Sequence, residues 1–306
     1  MNAKNSIIPG NEVAIQVQGL KKSYGKVKAL RGIDLQVMRG EIVGFLGPNG
    51  AGKTTTIRCL LDMIRPDGGQ ALLLGLDPQR EPVAVQARTG YLPGEMQYYN
   101  NLSSERQLRF FNAMRGGSAD WSTVHQLAER LALDLKQPIK NLSKGNKQKL
   151  GVIQALMHRP ELLLLDEPTS GLDPLMQQEV RELLREANHA GATVFFSSHI
   201  MSEVENVAGR VAIIRSGEIV EVAETSSLTR RALMRMTIRF KQPVECSELV
   251  DLPGIEVISQ ADHTSITLQV TGDMEKLVQA LGRLPILDLE TEHPSLEDAF
   301  LTYYKN

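Results

Sequence analysis

Cysteine is scarce. Only Cys59 and Cys246 occur in 306 residues, too few and too far apart for a disulfide framework or a zinc cluster, and in keeping with a reducing compartment. Neither sign of charge dominates: 34 Lys and Arg stand against 36 Asp and Glu, a net charge of −2. That removes any global electrostatic reason to expect nucleic acid or anionic lipid as a partner. Long apolar runs are missing too; the strongest, Leu162 to Leu165, is four residues, far short of the ~18–20 a spanning helix needs. Met1 to Glu12 holds one Lys and no apolar centre, so it does not read as a signal peptide. Internal repeats and low-complexity tracts are absent as well. What remains is 42% hydrophobic and 23% charged residues, an ordinary globular balance, in a chain long enough for one large and one small domain.

From Ala14 to about Val222 strand-like and helix-like segments alternate, which argues for an α/β layer structure. Ala14 to Gln18 alternates apolar and polar residues, as a half-buried strand does. Glu41 to Leu46, Glu161 to Leu165, Thr193 to Phe196 and Val211 to Ile214 are near-continuous apolar runs, the pattern of strands covered on both faces. Ser104 with Gln107 forms a capping box for a helix through Met114, and Asp173-Pro174 opens another through about Asn188. After Val222 the composition changes. Residues 223–235 are polar and basic and read as a linker or connecting helix. Residues 236–306 read as a small α+β domain. Alternating strands are expected at Met236 to Phe240 and Ile266 to Val270, with a third at Ile255 to Ile258. A helix capped by Asp273 carries Met274, Leu277, Val278 and Leu281 on one face, and a last one is capped by Ser295.

Gly47-Pro48-Asn49-Gly50-Ala51-Gly52-Lys53-Thr54 matches the P-loop pattern, between an apolar strand and a helical segment running from Thr55 to Ile64. Glycines let backbone N–H groups approach phosphate oxygens, and the helix N-terminus adds its dipole. Lys53 supplies a point charge to the β and γ phosphates, and the Thr54 hydroxyl can ligate Mg²⁺. A Lys–phosphate contact at ~4 Å is worth about 4 kcal/mol at an effective dielectric of ~20. A buried strand then delivers Asp166 at its carboxyl end, where Mg²⁺ needs an oxygen, with Glu167 beside it free to orient or deprotonate water.

With these in place the chain resembles the ATPases of ABC transporters over roughly residues 13–222. Tyr24 resembles the aromatic that stacks on adenine. Leu142-Ser143-Lys144-Gly145-Asn146-Lys147-Gln148 is similar to the ABC signature, Ser170-Gly171-Leu172-Asp173 to the D-loop, and His199 to the switch histidine that touches the γ phosphate. The resemblance implies a P-loop NTPase core with a helical subdomain. It implies ATP, with Thr55 among the nucleotide-binding residues, and Mg²⁺ held by Thr54 and Asp166. Lys53, Glu167 and His199 are the implied catalytic groups. It also implies Asp173 among the nucleotide-binding residues, and a head-to-tail homodimer in which Ser143 and Gly145 of one copy complete the nucleotide site of the other. A separate transmembrane permease would do the crossing, and would be this chain's only membrane contact, at the cytoplasmic face. The Leu-Ser-Lys-Gly signature and the Pro294 to Phe300 segment are similar to the drug- and antibiotic-exporter branch. One departure concerns the loop after Thr89 to Pro93, where many members place a glutamine. Here Gly94 stands there, and Glu95 is the candidate replacement. The rival readings are an importer ATPase, a soluble ABC ATPase acting on ribosomes or DNA, and an ATP-gated scaffold that does not hydrolyse. The single cassette, the signature and the intact Asp166, Glu167 and His199 speak against them.

Overall fold

The computed structural model describes residues 12–231, 234–245, 249, 252–261, 263–270 and 274–292. Cys246, the Asp273 cap and the Ser295 helix lie outside the described residues. The chain forms two compact units, Met1–Glu224 and Thr225–Asn306.

In the first unit the elements are, in order, β1 (Val13–Tyr24), β2 (Val27–Met38), β3 (Ile42–Leu46), α1 (Lys53–Leu60), β4 (Gly68–Leu73), α2 (Pro82–Arg88), β5 (Thr89–Leu92), α3 (Ser104–Met114), α4 (Trp121–Arg130), α5 (Lys144–Leu156), β6 (Leu162–Asp166), α6 (Pro174–His189), β7 (Thr193–Ser198), α7 (Met201–Val207), β8 (Arg210–Arg215) and β9 (Glu218–Glu224). They make an antiparallel sheet ordered β2-β1-β4 and a six-stranded sheet ordered β5-β6-β7-β3-β8-β9. In the larger sheet all neighbours are parallel except β8 and β9. The four runs of apolar residues are its buried central strands, and Leu162 to Leu165 and Thr193 to Phe196 are buried at every position.

Helix α1 lies between the two sheets. Its Ile57 and Leu60 share one apolar cluster with Ile15, Val17 and Leu73 on the antiparallel side and Phe45, Leu164 and Phe195 on the other. The Phe45 and Phe195 rings stand 5.2 Å apart between centroids. Each such side chain contributes about 1.5–3 kcal/mol by leaving water, so the loop that opens α1 hangs from a rigid core. The helix begins at Lys53 rather than Thr55 and ends at Leu60, short of Ile64, where Asp62 turns into the left-handed region at φ 53°.

A helical layer of α3, α4 and α5 sits beyond β5, with Leu108, Val124, Leu127, Leu131, Ile139, Leu150 and Ile153 buried. The cap of α3 is Ser103, not Ser104: the Ser103 hydroxyl accepts from Arg106 N at 3.3 Å. Ser104 is buried one residue later and donates to Gln137 O at 3.3 Å. Only Ser104 has a Gln three residues on, yet Ser103 takes the cap, so the path of the chain overrides the capping-box spacing. Asp173 caps α6 as its Asp-Pro pair requires, accepting from Met176 N at 3.0 Å.

The stretch 223–235 holds the end of β9, helix α8 (Thr225–Arg231) and the start of β10 (Met234–Phe240). The second unit continues with β11 (Ile255–Ala261), β12 (Ser265–Val270), α9 (Met274–Leu281) and β13 (Ile286–Glu292), in an antiparallel sheet ordered β11-β12-β10-β13. Met236, Ile238, Phe240, Ile266, Leu268 and Val270 form its core with Leu277 and Leu281. Val278 stands 58% exposed, so the buried stripe of α9 is narrower than its spacing implied. Strand β13 was not expected, because Leu287 and Leu289 leave its apolar residues half in water. Among the described residues no helix is long and apolar enough to cross a membrane.

Candidate functional site

The parallel sheet sets the site. Strands β5, β6, β7 and β3 are consecutive neighbours, and their registers pair Leu92 with Leu165, Asp166 with Ser197, and Leu46 with Ser198. Their carboxyl ends are therefore level, and four loops leave the sheet side by side, the usual place for a ligand in such a sheet. Those loops carry Gly94, Glu167, His199 and the Gly47–Lys53 turn.

That turn is held open by its glycines. Gly50 has φ 79° and Gly52 φ 113°, and a Cβ on Gly52 would lie 2.7 Å from Ala29 O of β2. At Gly47 it would meet Ile214 O at 2.4 Å. Gly52 is also the N-cap of α1 and offers no side-chain hydrogen bond. The first amides of the helix thus have no side-chain acceptor, the condition for holding an anion. Pro48, Asn49 and Ala51 complete the turn, with Ala51 N donating to Pro48 O at 3.1 Å. Thr55, on the first turn of α1, is half-buried.

Lys53 is 5% exposed. Its ammonium donates to Gly47 O at 2.7 Å and Pro48 O at 3.2 Å, and lies 3.7 Å from Glu167 Oε1. Burial pulls its pKa below the ordinary lysine value, against the opposing pull of Glu167 and Asp166. A buried cation whose shortest ties are to neutral carbonyls is free to turn to an incoming phosphate.

Asp166 is 1% exposed. It accepts from Ser197 Oγ at 2.5 Å and from Thr54 Oγ1 at 2.7 Å. Two hard oxygen groups thus meet beside the helix N-terminus. Among the described residues no cluster of three or more His, Cys, Asp or Glu forms. One carboxylate and one hydroxyl next to a phosphate pocket suit Mg²⁺, which keeps water and takes oxygen from substrate phosphates. Gly94 lies against this carboxylate, since a Cβ there would stand 2.9 Å from Asp166 Oδ2. Glu95 is exposed. The residue abutting Asp166 is thus Gly94, with no side chain to offer.

Glu167 sits at φ 52°, in the left-handed region. A non-glycine residue there costs of order 1 kcal/mol, and the surroundings hold it. Its N–H lies 3.1 Å from Ser197 Oγ and 3.2 Å from Ser197 O, and its carbonyl accepts from Gln148 Nε2 at 2.9 Å. The turn swings the carboxylate off the strand line, so that Oε1 is 3.0 Å from His199 Nδ1. Tyr24, 48% exposed, ends β1 at a hairpin closed by Gly25, whose other strand packs on the P-loop through Ala29. The Lys22 ammonium stands 5.9 Å from its ring centroid and is itself tied to Asp67 at 2.9 Å.

The structure brings Lys53, Thr54, Asp166, Glu167 and His199 together. Ser143 and Gly145 are placed elsewhere, at the start of α5 against the Gly171 turn, where a Cβ on Gly145 would lie 2.9 Å from Gly171 O. The Ser143 hydroxyl accepts from Asn146 N at 3.1 Å. Asp173 caps the next helix beyond that turn. Three groups have supporting roles that the sequence does not show. Gln148 ties α5 to Glu167 O and, at 3.0 Å, to Pro168 O. Ser197 holds Asp166 and Glu167 together. Glu203, 7% exposed, accepts from Ser198 Oγ at 2.6 Å and from Thr169 Oγ1. The polar end of an otherwise apolar strand could have flagged Ser197; the signature stretch contains Gln148 but does not show its reach to Glu167, and nothing in one dimension marks Glu203.

Comparison with known proteins fits this geometry. A family model described as ABC transporter matches residues 30–170. The bacitracin transport ATP-binding protein BcrA of Bacillus licheniformis is 34% identical over 94% of this chain and 96% of its own length. The daunorubicin resistance ATP-binding protein DrrA3 of Streptomyces coeruleorubidus is 32% identical over 95% of each. A solved ATP-binding subunit of an ABC transporter superposes with a TM-score of 0.65 at 27% identity, covering 71% of this chain and 92% of that one.

Proposed function

The chain belongs to the ATP-binding subunits of ABC transporters, and from that premise we propose that it powers a separate permease that exports a drug- or antibiotic-like cargo. It binds and hydrolyses ATP as that family does. The observation that carries the residue roles is the convergence of Lys53, Asp166 with Thr54, and Glu167 with His199 on one row of strand ends.

In the proposed reaction water attacks the γ phosphorus in line, an O–P bond forms, and the bond from phosphorus to the β–γ bridging oxygen breaks to leave ADP. Glu167 orients the water and takes its proton; His199, 3.0 Å away, keeps that carboxylate in position and faces the γ phosphate. Lys53 leaves the Gly47 and Pro48 carbonyls for the β and γ phosphates. Tyr24 stacks on adenine. Mg²⁺, held by Thr54 and Asp166, would neutralise phosphate charge. Almost all of the acceleration is positioning and electrostatics. Ser143 and Gly145 stand apart from this row, which supports the reading that they serve the nucleotide of a second copy, with Asp173 at the same seam. The domain limits we propose are an ATPase domain over 13–222, a connector over 223–235 and an accessory domain over 236–306.

The permease is proposed to dock on an apolar groove between the turn after α1, α2 and β5 on one side and α3 on the other. Met63, Val83 and Met114 are 55%, 80% and 70% exposed there, an apolar display a lone soluble protein has little reason to keep. From β5 the chain runs on to Gly94 against Asp166 and Met96 against Gly151. A partner seated in the groove is therefore one loop away from the chemistry.

The test is to isolate the chain from native membranes under mild detergent and assay phosphate release. Co-isolation of one integral membrane protein, with Mg²⁺-dependent ATP hydrolysis, is the expected result. Hydrolysis with no such companion would favour a soluble ATPase.

A further inference from the structure

Glu203 is a buried carboxylate held by two neutral hydroxyls, and no step above uses it. It sits on α7, at the third residue, with Ser198 Oγ donating to one oxygen at 2.6 Å and Thr169 Oγ1 to the other. Thr169 and Ser198 are 4% and 1% exposed. Burying a carboxylate without a paired cation is costly, so its retention at this point calls for a reason.

Its two partners supply one. Thr169 opens the turn that carries Ser170, Gly171 and Asp173, two residues after Glu167. Ser198 is the last residue of β7, directly before His199, and its Oγ also accepts from Ile200 N at 2.9 Å. The carbonyl of Ser198 accepts from Gly47 N at 3.2 Å, which joins the P-loop to the same point. One carboxylate thus ties the turn that is proposed to face a second copy to the loop that presents His199.

We propose that Glu203 is a positioning residue for hydrolysis, coupling the Thr169–Asp173 turn to His199 and so setting the His199–Glu167 contact. The inference rests on the reading of His199 and Glu167 given above. When the turn shifts on meeting a second copy, Thr169 pulls on Glu203, and Ser198 passes the displacement to His199. ATP affinity changes little, because the carboxylate reaches the P-loop only indirectly, through Ser198 and its carbonyl on Gly47 N.

A kinetic cycle on the full chain tests this, with phosphate release measured alongside calorimetric ATP affinity. Glu203→Ala is expected to lower kcat about tenfold with KM for ATP within about twofold. Glu203→Gln keeps the shape and one acceptor, while Ser198 Oγ can turn to Ile200 O, 3.2 Å away. It should recover at least about half of the wild-type kcat, a rescue expected of a positioning role. In a His199→Ala background, Glu203→Ala should cost less than about twofold more, because residues acting in one chain are not additive. A full tenfold loss in both backgrounds, or a raised KM with unchanged kcat, overturns the proposal. If Glu203→Ala folds poorly, Thr169→Val removes one tie at nearly constant shape. It should lower kcat about threefold, and wild-type kcat there overturns the proposal as well. Wild-type turnover by Glu167→Gln would instead sink the assignment of the base, a failure distinct from this one.

Discussion

Helices α1 and α5 both begin at a turn of small polar residues, and they are equipped in opposite ways. At α1 the cap is Gly52 at φ 113°, without a side-chain hydrogen bond, and a buried cation follows at once. At α5 the cap is Ser143, whose hydroxyl already accepts from Asn146 N at 3.1 Å, and the residue after it, Lys144, is exposed. The first helix start is built into a pocket closed by four strand ends of its own chain. The second is self-sufficient and faces outward, beside the Gly171 turn. A helix N-terminus is a general anion site; what differs is who supplies the rest of the pocket. For α1 it is this chain, and for α5 the account assigns it to another copy.

Substitutions at the two starts should therefore fail in different ways. Lys53→Ala removes the cation from the inward pocket, and ATP affinity should fall about 1000-fold by calorimetry, the weight of one close Lys–phosphate contact. The nucleotide-free melting temperature should not drop, since a desolvated ammonium is lost with it. Glu167→Gln should leave affinity within about threefold while turnover falls at least a hundredfold or so, the usual share of a general base. A binding defect of equal size would merge the two roles that the geometry separates. Ser143→Ala acts on the outward start. It should cost about 1 kcal/mol of stability as a lost cap and lower turnover roughly tenfold, with the affinity of the isolated chain for ATP unchanged. Were Ser143→Ala to weaken binding by the isolated chain, the contrast between the two helices would collapse.

The smallest effect is in pH. Burial lowers the Lys53 pKa from the ordinary 10.5, and a bound phosphate raises it again. The bound state then holds the proton more tightly than the free one, so ATP affinity is full below the lowered pKa and falls as pH rises through it. Calorimetry at alkaline pH in buffers of differing ionisation enthalpy should register proton uptake on binding. Proton release would contradict the burial of this lysine.

The inward pocket was legible in one dimension because its parts are contiguous. Gly47 to Gly52 is a loop running straight into α1, and Leu162 to Asp166 is a strand with its acid at the end; local sequence places both. The four central strands of the larger sheet were legible for the same reason, since strands covered on both faces are short, near-continuous apolar runs. What escaped depends on distance through space. The supporting contacts of Ser197, Gln148 and Glu203 reach Asp166, Glu167 and Ser198 from other elements, and only sheet order and helix packing bring them there. The choice of Ser103 over Ser104 turned on the Gln137 carbonyl, more than 30 residues on. Strand β13 was hidden because its apolar side chains are partly exposed, so its pattern resembles a surface loop. The replacement of the loop glutamine was visible as Gly94, but not that Gly94 itself would lie against Asp166.

Sedimentation of the Glu167→Gln protein with and without saturating Mg·ATP reaches the central claim most directly. A shift from monomer to a stable dimer on adding nucleotide, abolished when Ser143 is also replaced by a bulky residue, is what the account predicts. A protein that binds ATP at full affinity and stays monomeric would contradict it.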